Sequence, residues 1–424
     1  MNNIVIKKKN LIEFFFGLLL TGFIAVVVYN PSGLFSVSGN TTRLCFLGIS
    51  VVSLIIVFIM PRKYKKDISF LKSKVLLYFI LPDAALMLLS FIVTFLEHER
   101  SSIYSTTWYL FFSRFVLVLF LWSCIRLLGK KAVTYFFWGC ALSYLYTLIN
   151  YFRDTGFLEG LQKSTIGSYR LTIEVHNMTY IFGYLFLFFA IMDTGSRRSR
   201  ILKSALCLIF VYFGQKRMVL IAVFTGLIIW LALHRFQGKS RKIIVRILCV
   251  AAIFIAMFYI YSITSGLFAK FVNDNDIETS SRLKFYTYFA QDLPFSPFYL
   301  GRGITYTDVI MASDAGMSAL NLHTATTLHN DFLRVYIGVG MIPTIIYLGV
   351  IMYTRTLSIQ KRLDERVGFF YFALTITYYM NWFASNAGLE MWCYSGYVIC
   401  VLAILIEESE KKNEAGIRLQ PRKL

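Results

Sequence analysis

Leu322-His323-Thr324-Ala325-Thr326-Thr327-Leu328-His329-Asn330-Asp331-Phe332-Leu333-Arg334 closes the one long polar segment of a chain that is otherwise almost wholly apolar. Two of the five histidines stand in it. It passes without a break into an apolar stretch, Val335-Tyr336-Ile337-Gly338-Val339-Gly340. A polar run that feeds directly into an apolar helix marks a membrane–water boundary. His329 is therefore expected at a membrane surface, facing water and held by a helix.

The composition around this stretch agrees. Of 424 residues, 57% are hydrophobic, 17% aromatic and only 16% charged. Soluble domains carry about a quarter charged residues, so the fold class is an all-α polytopic membrane protein. Twelve apolar runs are long enough to cross a hydrocarbon core of ~30 Å. They cover 11–29, 43–60, 75–96, 108–128, 132–152, 176–193, 201–214, 218–234, 243–264, 332–353, 368–384 and 391–406. The seventh is short, and Gly214-Gln215-Lys216-Arg217 separates it from the eighth. All seven cysteines lie inside apolar runs, with no metal spacing, and read as small packing residues.

Charge sets the topology. With the N-terminus in the cytoplasm and the sides alternated, most of the 43 lysines and arginines fall in cytoplasmic segments. The net charge of +20 is mostly this bias, which removes nucleic acid as a partner. Lys7, Lys8 and Lys9 precede the first apolar run and no small-residue cleavage site follows, so that run reads as a retained span. The expected division is 1–264 with nine spans, 265–331 as one large extracytoplasmic loop, 332–406 with three spans, and 407–424 as a basic cytoplasmic tail.

The outer side keeps few basic residues, mostly arginines: Arg43, Arg100, Arg153, Arg170, Arg217, Arg282, Arg302 and Arg334. A guanidinium fork grips phosphate oxygens in a way lysine cannot. Each outer arginine at a boundary is thus a candidate anion ligand, against the plain reading of a solvated or snorkelling side chain. In the large loop, Thr279-Ser280-Ser281 can cap a short aromatic-rich helix beginning at Arg282 and suited to the lipid interface. Pro294, Pro297 and Gly301-Arg302-Gly303 break it, and 304–321 reads as a mobile lid. A second loop, 153–175, holds Tyr169-Arg170 and leads into His176-Asn177.

Other chemistry is weaker. His323 and His329 are six apart, whereas helical zinc pairs need three or four. Asp274-Asn275-Asp276 has the form of a metal-binding Asp-x-Asp but reads first as a loop turn. Asp83, after Pro82, is an acid inside a span whose partner the sequence does not reveal. Gly301-x-Gly303 lacks the flanking strand and helix of a nucleotide cradle. No metal and no cofactor is expected.

Four motifs in order carry a resemblance: Tyr169-Arg170-Leu171-Thr172 with His176-Asn177; Gln215-Lys216-Arg217-Met218-Val219-Leu220; Ser281-Arg282-Leu283-Lys284-Phe285-Tyr286 followed by Gly301-Arg302-Gly303; and His329-Asn330-Asp331-Phe332-Leu333-Arg334 followed by Gly338-Val339-Gly340. With the topology, the chain resembles the Wzy-type polymerases of O-antigen and capsular polysaccharide repeat units and the related O-antigen ligases. His176 departs from the proline that the family often has between two asparagines. The resemblance implies a GT-C-like membrane enzyme with about twelve transmembrane helices and short helices in its large loop. It implies undecaprenyl-diphosphate-linked oligosaccharides as donor and acceptor, at the outer face of the bacterial cytoplasmic membrane, with both termini cytoplasmic. A flippase and a chain-length regulator would be its partners. Arg170, Arg217 and Arg282 would bind the diphosphate, and His329 would be the general base. Tyr169, His176, Asn177, Lys216, Arg302, His323, Asn330 and Arg334 would be further substrate contacts. Two readings compete: a ligase moving finished glycan to another acceptor, and a flippase or transporter, for which internal repeats are missing.

Overall fold

The computed structural model describes residues 8–25, 39–60, 75–156, 159, 176–214, 216–236, 238–277, 282–291, 293–321 and 327–414. Among these, every regular element is helical. The first six helices are α1 (Lys8–Phe23), α2 (Gly39–Ile59), α3 (Val75–Leu96), α4 (Ser101–Leu128), α5 (Lys131–Thr155) and α6 (His176–Leu187). Then follow α7 (Arg197–Phe213), α8 (Arg217–Arg235) and α9 (Gly238–Thr264). The polar segment carries α10 (Leu267–Asp274), α11 (Arg282–Ala290), α12 (Tyr306–Met311) and α13 (Asp314–Ala319). The chain ends with α14 (Asp331–Val339), α15 (Met341–Arg362), α16 (Glu365–Met380) and α17 (Met391–Glu414).

Each of the twelve apolar runs overlaps a helix. Among the described residues seven helices are long and apolar enough to cross a membrane: Phe79–Leu96, Ser101–Leu128, Lys131–Asp154, Arg217–Arg235, Ser240–Thr264, Met341–Arg362 and Trp392–Ser409. Asn10–Phe23, Leu44–Ile59 and Met178–Met192 are apolar but shorter. Burial sorts these helices. The Trp392–Ser409 window is 83% buried, against 33% for Arg217–Arg235. α17 is therefore the central post, packed on α4 and α6, and α8 is peripheral, packed on α16. On α9, Ile243, Ile247, Val250, Phe254 and Phe258 form an exposed apolar stripe at helical spacing, a surface suited to hydrocarbon. Six of the cysteines are buried packing residues, as expected, while Cys45 is exposed on α2.

The tenth run, expected as one span over 332–353, is two helices. Gly340 takes φ 79° and ends α14 after nine residues. At 1.5 Å per residue, α14 is about 13 Å long, too short to cross a bilayer. All nine of its residues are buried. Pro343 then falls in the first turn of α15, where its missing N–H costs nothing.

The polar segment wraps this short helix. The Tyr336 hydroxyl donates to the Pro294 carbonyl at 2.7 Å, and the Tyr299 hydroxyl donates to the Ile337 carbonyl at 3.2 Å. The amides of Arg302 and Gly303 donate to the carbonyls of Ile337 and Gly338, both at 2.8 Å. Gly301 and Gly303 sit at φ 99° and 98°. A Cβ on Gly301 would stand 2.6 Å from the Gly338 backbone, so the two glycine pairs cross main chain on main chain. Beyond the crossing, the Ile304 amide donates to Ser90 Oγ at 2.9 Å and Thr305 Oγ1 donates to the Ile103 carbonyl at 3.1 Å. The stretch read as a lid is thus pinned to α3 and α4 at its start. It continues as α12 and α13, with Met311 and Leu320 buried. Thr279-Ser280-Ser281 lies outside the described residues.

Candidate functional site

Asn330 is the N-cap of α14: its Oδ1 accepts from the Leu333 amide at 3.1 Å. Its Nδ2 donates to the Tyr259 hydroxyl of α9 at 3.4 Å, and that hydroxyl donates on to the Phe383 carbonyl at 3.0 Å. The preceding residue, His329, is half-buried and takes φ 52°. That left-handed region costs a residue with a Cβ about 1–2 kcal/mol, and surrounding contacts must hold it. One such contact is Tyr286 of α11, whose hydroxyl donates to the His329 carbonyl at 3.3 Å. Arg282 opens α11, one turn before Tyr286. Burial pushes the Tyr286 phenol above its ordinary value, and the nearby Arg282 guanidinium is the strongest opposing influence. The phenol therefore stays a neutral donor near pH 7. Arg282, His329 and Asn330, which span positions 282 to 330 and are expected from the sequence to form one site, meet here.

Asp331 is fully buried, and its Oδ2 accepts from the amides of Gly388 and Leu389 at 2.7 and 3.2 Å. Its Oδ1 lies 3.9 Å from Arg334 Nη1 and makes no hydrogen bond. Burial pushes the Asp331 carboxyl up to about 7, against the pull of Arg334 and the two amides. Arg334 is nearly buried and also pairs with Asp308. Burial raises Asp308 and Glu390 as well, and both feel the Arg334 cation. The side chain of Arg334 is thus committed to its own carboxylates, one turn beneath His329. Asn386 joins this group, donating to Thr327 Oγ1 at 3.0 Å and Glu390 Oε2 at 3.2 Å.

Lys216 is the N-cap of α8 in extended conformation, and Arg217 is the first helical residue, its side chain exposed. α8 runs antiparallel to α16: Gly226 lies against Thr377, and Trp230 against Phe370. The Lys216-Arg217 corner consequently sits at the end of the bundle that carries Asn381–Phe383. That turn packs on α14 through the Phe332 and Phe383 rings, 4.8 Å apart. Gly214 abuts Thr179, which brings the start of α6, and with it His176 and Asn177, to the same corner. Lys216 Nζ lies 5.7 Å from the Tyr180 ring, and Cys393 is in electrostatic range of Lys216, Glu390 and Asp331 together.

Arg302 is not brought to His329. Its Nη1 donates to the Tyr306 hydroxyl at 2.8 Å and its Nε lies 3.9 Å from Glu99, beside the far end of α14. Tyr169, Arg170 and His323 lie outside the described residues, as does Gln215; so do the side chains of His176 and Asn177. Asp274-Asn275-Asp276 ends α10 as a turn in which Asn275 Nδ2 donates back to the Phe271 carbonyl at 2.8 Å. Among the described residues no group of three or more His, Cys, Asp or Glu is arranged to hold a metal ion.

The sequence reading missed Asp331, Asp308, Glu390, Tyr259 and Tyr286 as members of the site. Asp331 had one available signal, an acid in the first turn of an otherwise apolar helix. Tyr286 closes one of the four motifs but carried no role there, and Tyr259 had no signal in a chain with 27 tyrosines.

No curated protein matches the chain. Residues 202–348, less than half of the chain, match the family model described as O-antigen ligase, an interval that holds Lys216, Arg217, Arg282, Arg302, His329, Asn330 and Arg334. The match supports the O-antigen ligase/polymerase superfamily and glycosyl transfer of that general kind, without separating a ligase from a polymerase.

Proposed function

We propose that this protein joins lipid-diphosphate-linked oligosaccharide repeats into surface polysaccharide at the outer face of the cytoplasmic membrane. In this reading the chain spans the membrane twelve times with both termini cytoplasmic, as its charge pattern implies, and the large loop and the His329 end of the bundle face outward. The acceptor hydroxyl loses its proton to the His329 imidazole as its oxygen bonds the anomeric carbon. The bond from that carbon to undecaprenyl diphosphate breaks in line, which inverts the centre. Arg217 and Arg282, with Arg170, neutralise the charge that grows on the departing diphosphate. The free energy resides in the sugar–diphosphate bond, so neither nucleotide nor metal is needed. The single observation that carries this reading is the Tyr286 hydroxyl on the His329 carbonyl, which fixes the Arg282 helix beside a strained histidine.

A gel of surface glycan from cells with wild type, His329→Ala or no copy of the gene tests it. A ladder that collapses to single repeats in both mutants supports polymerisation at His329; long chains from His329→Ala remove the general base. The second reading, a ligase, has the family description in its favour. It predicts a lipid-linked ladder that persists but never reaches its final acceptor. Loss of all glycan on the outer face would point to a flippase.

A further inference from the structure

Asp83 of α3 and Arg114 of α4 are each about 1% exposed, inside helices long enough to cross a membrane. Ionisable groups there are costly, and partnered where they persist. Arg114 Nε donates to Asp83 Oδ2 at 2.9 Å, and Nη2 lies 2.8 Å from the same oxygen. The Tyr347 hydroxyl donates to Asp83 Oδ1 at 2.8 Å. A structural ion pair would be complete at this point. Arg114 Nη1, however, reaches further and donates to the carbonyls of Gly388 and Leu389 at 2.7 and 3.2 Å. The Tyr378 hydroxyl is a second donor to the Gly388 carbonyl, at 2.5 Å. These are the same two residues whose amides hold Asp331 on their other side. A cation on the carbonyls and a carboxylate on the amides strengthen each other through the peptide groups between them. Gly388 admits no side chain, because a Cβ would run into the Trp382 indole. Asp331 is two residues from His329, and its own amide donates to the Ser385 carbonyl of the same turn at 3.2 Å.

We infer that Asp83, Arg114 and the Gly388-Leu389 turn are positioning residues that hold His329 at its working place through Asp331. None of them touches substrate. The inference goes beyond the proposed function but rests on His329 as the reacting group there. It joins the membrane interior to the site by a continuous run of hydrogen bonds across four segments of chain.

The decisive variant is Asp83→Asn with Arg114→Met. It removes both charges at once, so no buried ion is stranded, and the amide oxygen still accepts from Tyr347. Tyr378→Phe, which removes one donor to the turn, is the milder companion. Each protein, in lipid nanodiscs, is followed by hydrogen-exchange mass spectrometry and by turnover of a lipid-diphosphate-linked repeat. We expect exchange to quicken over 327–334 and 384–390 while α8 and α11 keep wild-type protection. Turnover should fall about tenfold to a hundredfold with KM unchanged, the mark of a misplaced reacting group. Tyr378→Phe should give the same pattern at smaller amplitude. Wild-type exchange at 327–334, or a uniform rise through every helix, overturns the inference. If wild type elongates no glycan and His329→Ala changes nothing, the proposed reaction fails; exchange confined to the two segments then still supports the chain of positioning contacts.

Discussion

Arg114 and Arg334 differ from Arg217 and Arg282 in what surrounds the same side chain. The first two are nearly buried and consumed by carboxylates: Asp83 for Arg114, Asp308 and Asp331 for Arg334. The second two open helices at one end of the bundle, exposed or half-exposed. A guanidinium beside a buried carboxylate is shut away from an arriving anion, whereas one at a helix start near the surface is within its reach. Architecture thus falls to the first pair, and the proposed chemistry to the second.

Mutation can break that division. The largest effect is expected from Arg114→Met alone, which strands the Asp83 charge and should cost about 3–5 kcal/mol. The unfolding midpoint in detergent reads it, and a wild-type midpoint would dissolve the distinction. Arg217→Lys and Arg282→Lys should do the reverse. The midpoint stays where it is while glycan elongation falls on the order of a hundredfold, because the charge remains and the bidentate fork does not. Full activity in both lysine variants would end their phosphate role.

The buried carboxylates sharpen the contrast through pH. The folded Asp331 carboxyl sits at about 7, above its unfolded value, so folding favours the protonated form. Its contribution is fully present below about pH 4 and is lost as pH climbs through about 7. Asp308 and Glu390, also raised, add in the same sense. Stability should therefore decline from pH 5 to 8 by up to about 1.4 kcal/mol per pH unit for each proton released. Asp331→Asn should flatten the slope near pH 7, and an unchanged slope would contradict the assignment. Smallest is Tyr286→Phe, which removes one hydrogen bond to His329 and should cost about 1 kcal/mol. Elongation in that variant should drop by less than in either arginine variant.

Apolar periodicity made the helices legible, since every run long enough to cross a bilayer overlaps one. It misread the tenth because α14 is as apolar as a span but buried in protein instead of lipid. The corrective signal was present in Gly340 followed by Pro343, a stop and a restart. The nearness of Arg282, His329 and Asn330 was legible because unusual polarity beside apolar runs stands out in the sequence. The partner of Asp83 was not, because Arg114 lies 31 residues away on another helix and nothing local records that crossing. Gly301-Arg302-Gly303 and Gly338-Val339-Gly340 were both visible, yet their contact is a property of two backbones, which composition does not encode.

The grip of Gly388 and Leu389 on Asp331 spans 57 residues of chain. During synthesis, His329 leaves the ribosome well before the turn that steadies it, and a chain emerges N-terminus first. Asn330 can find Tyr259 early, but Asp331 lacks its two amide partners until residue 389 has been made. The candidate site is therefore completed late, when α17 enters the middle of the bundle, and a chain still in the act of insertion carries its parts before they are arranged.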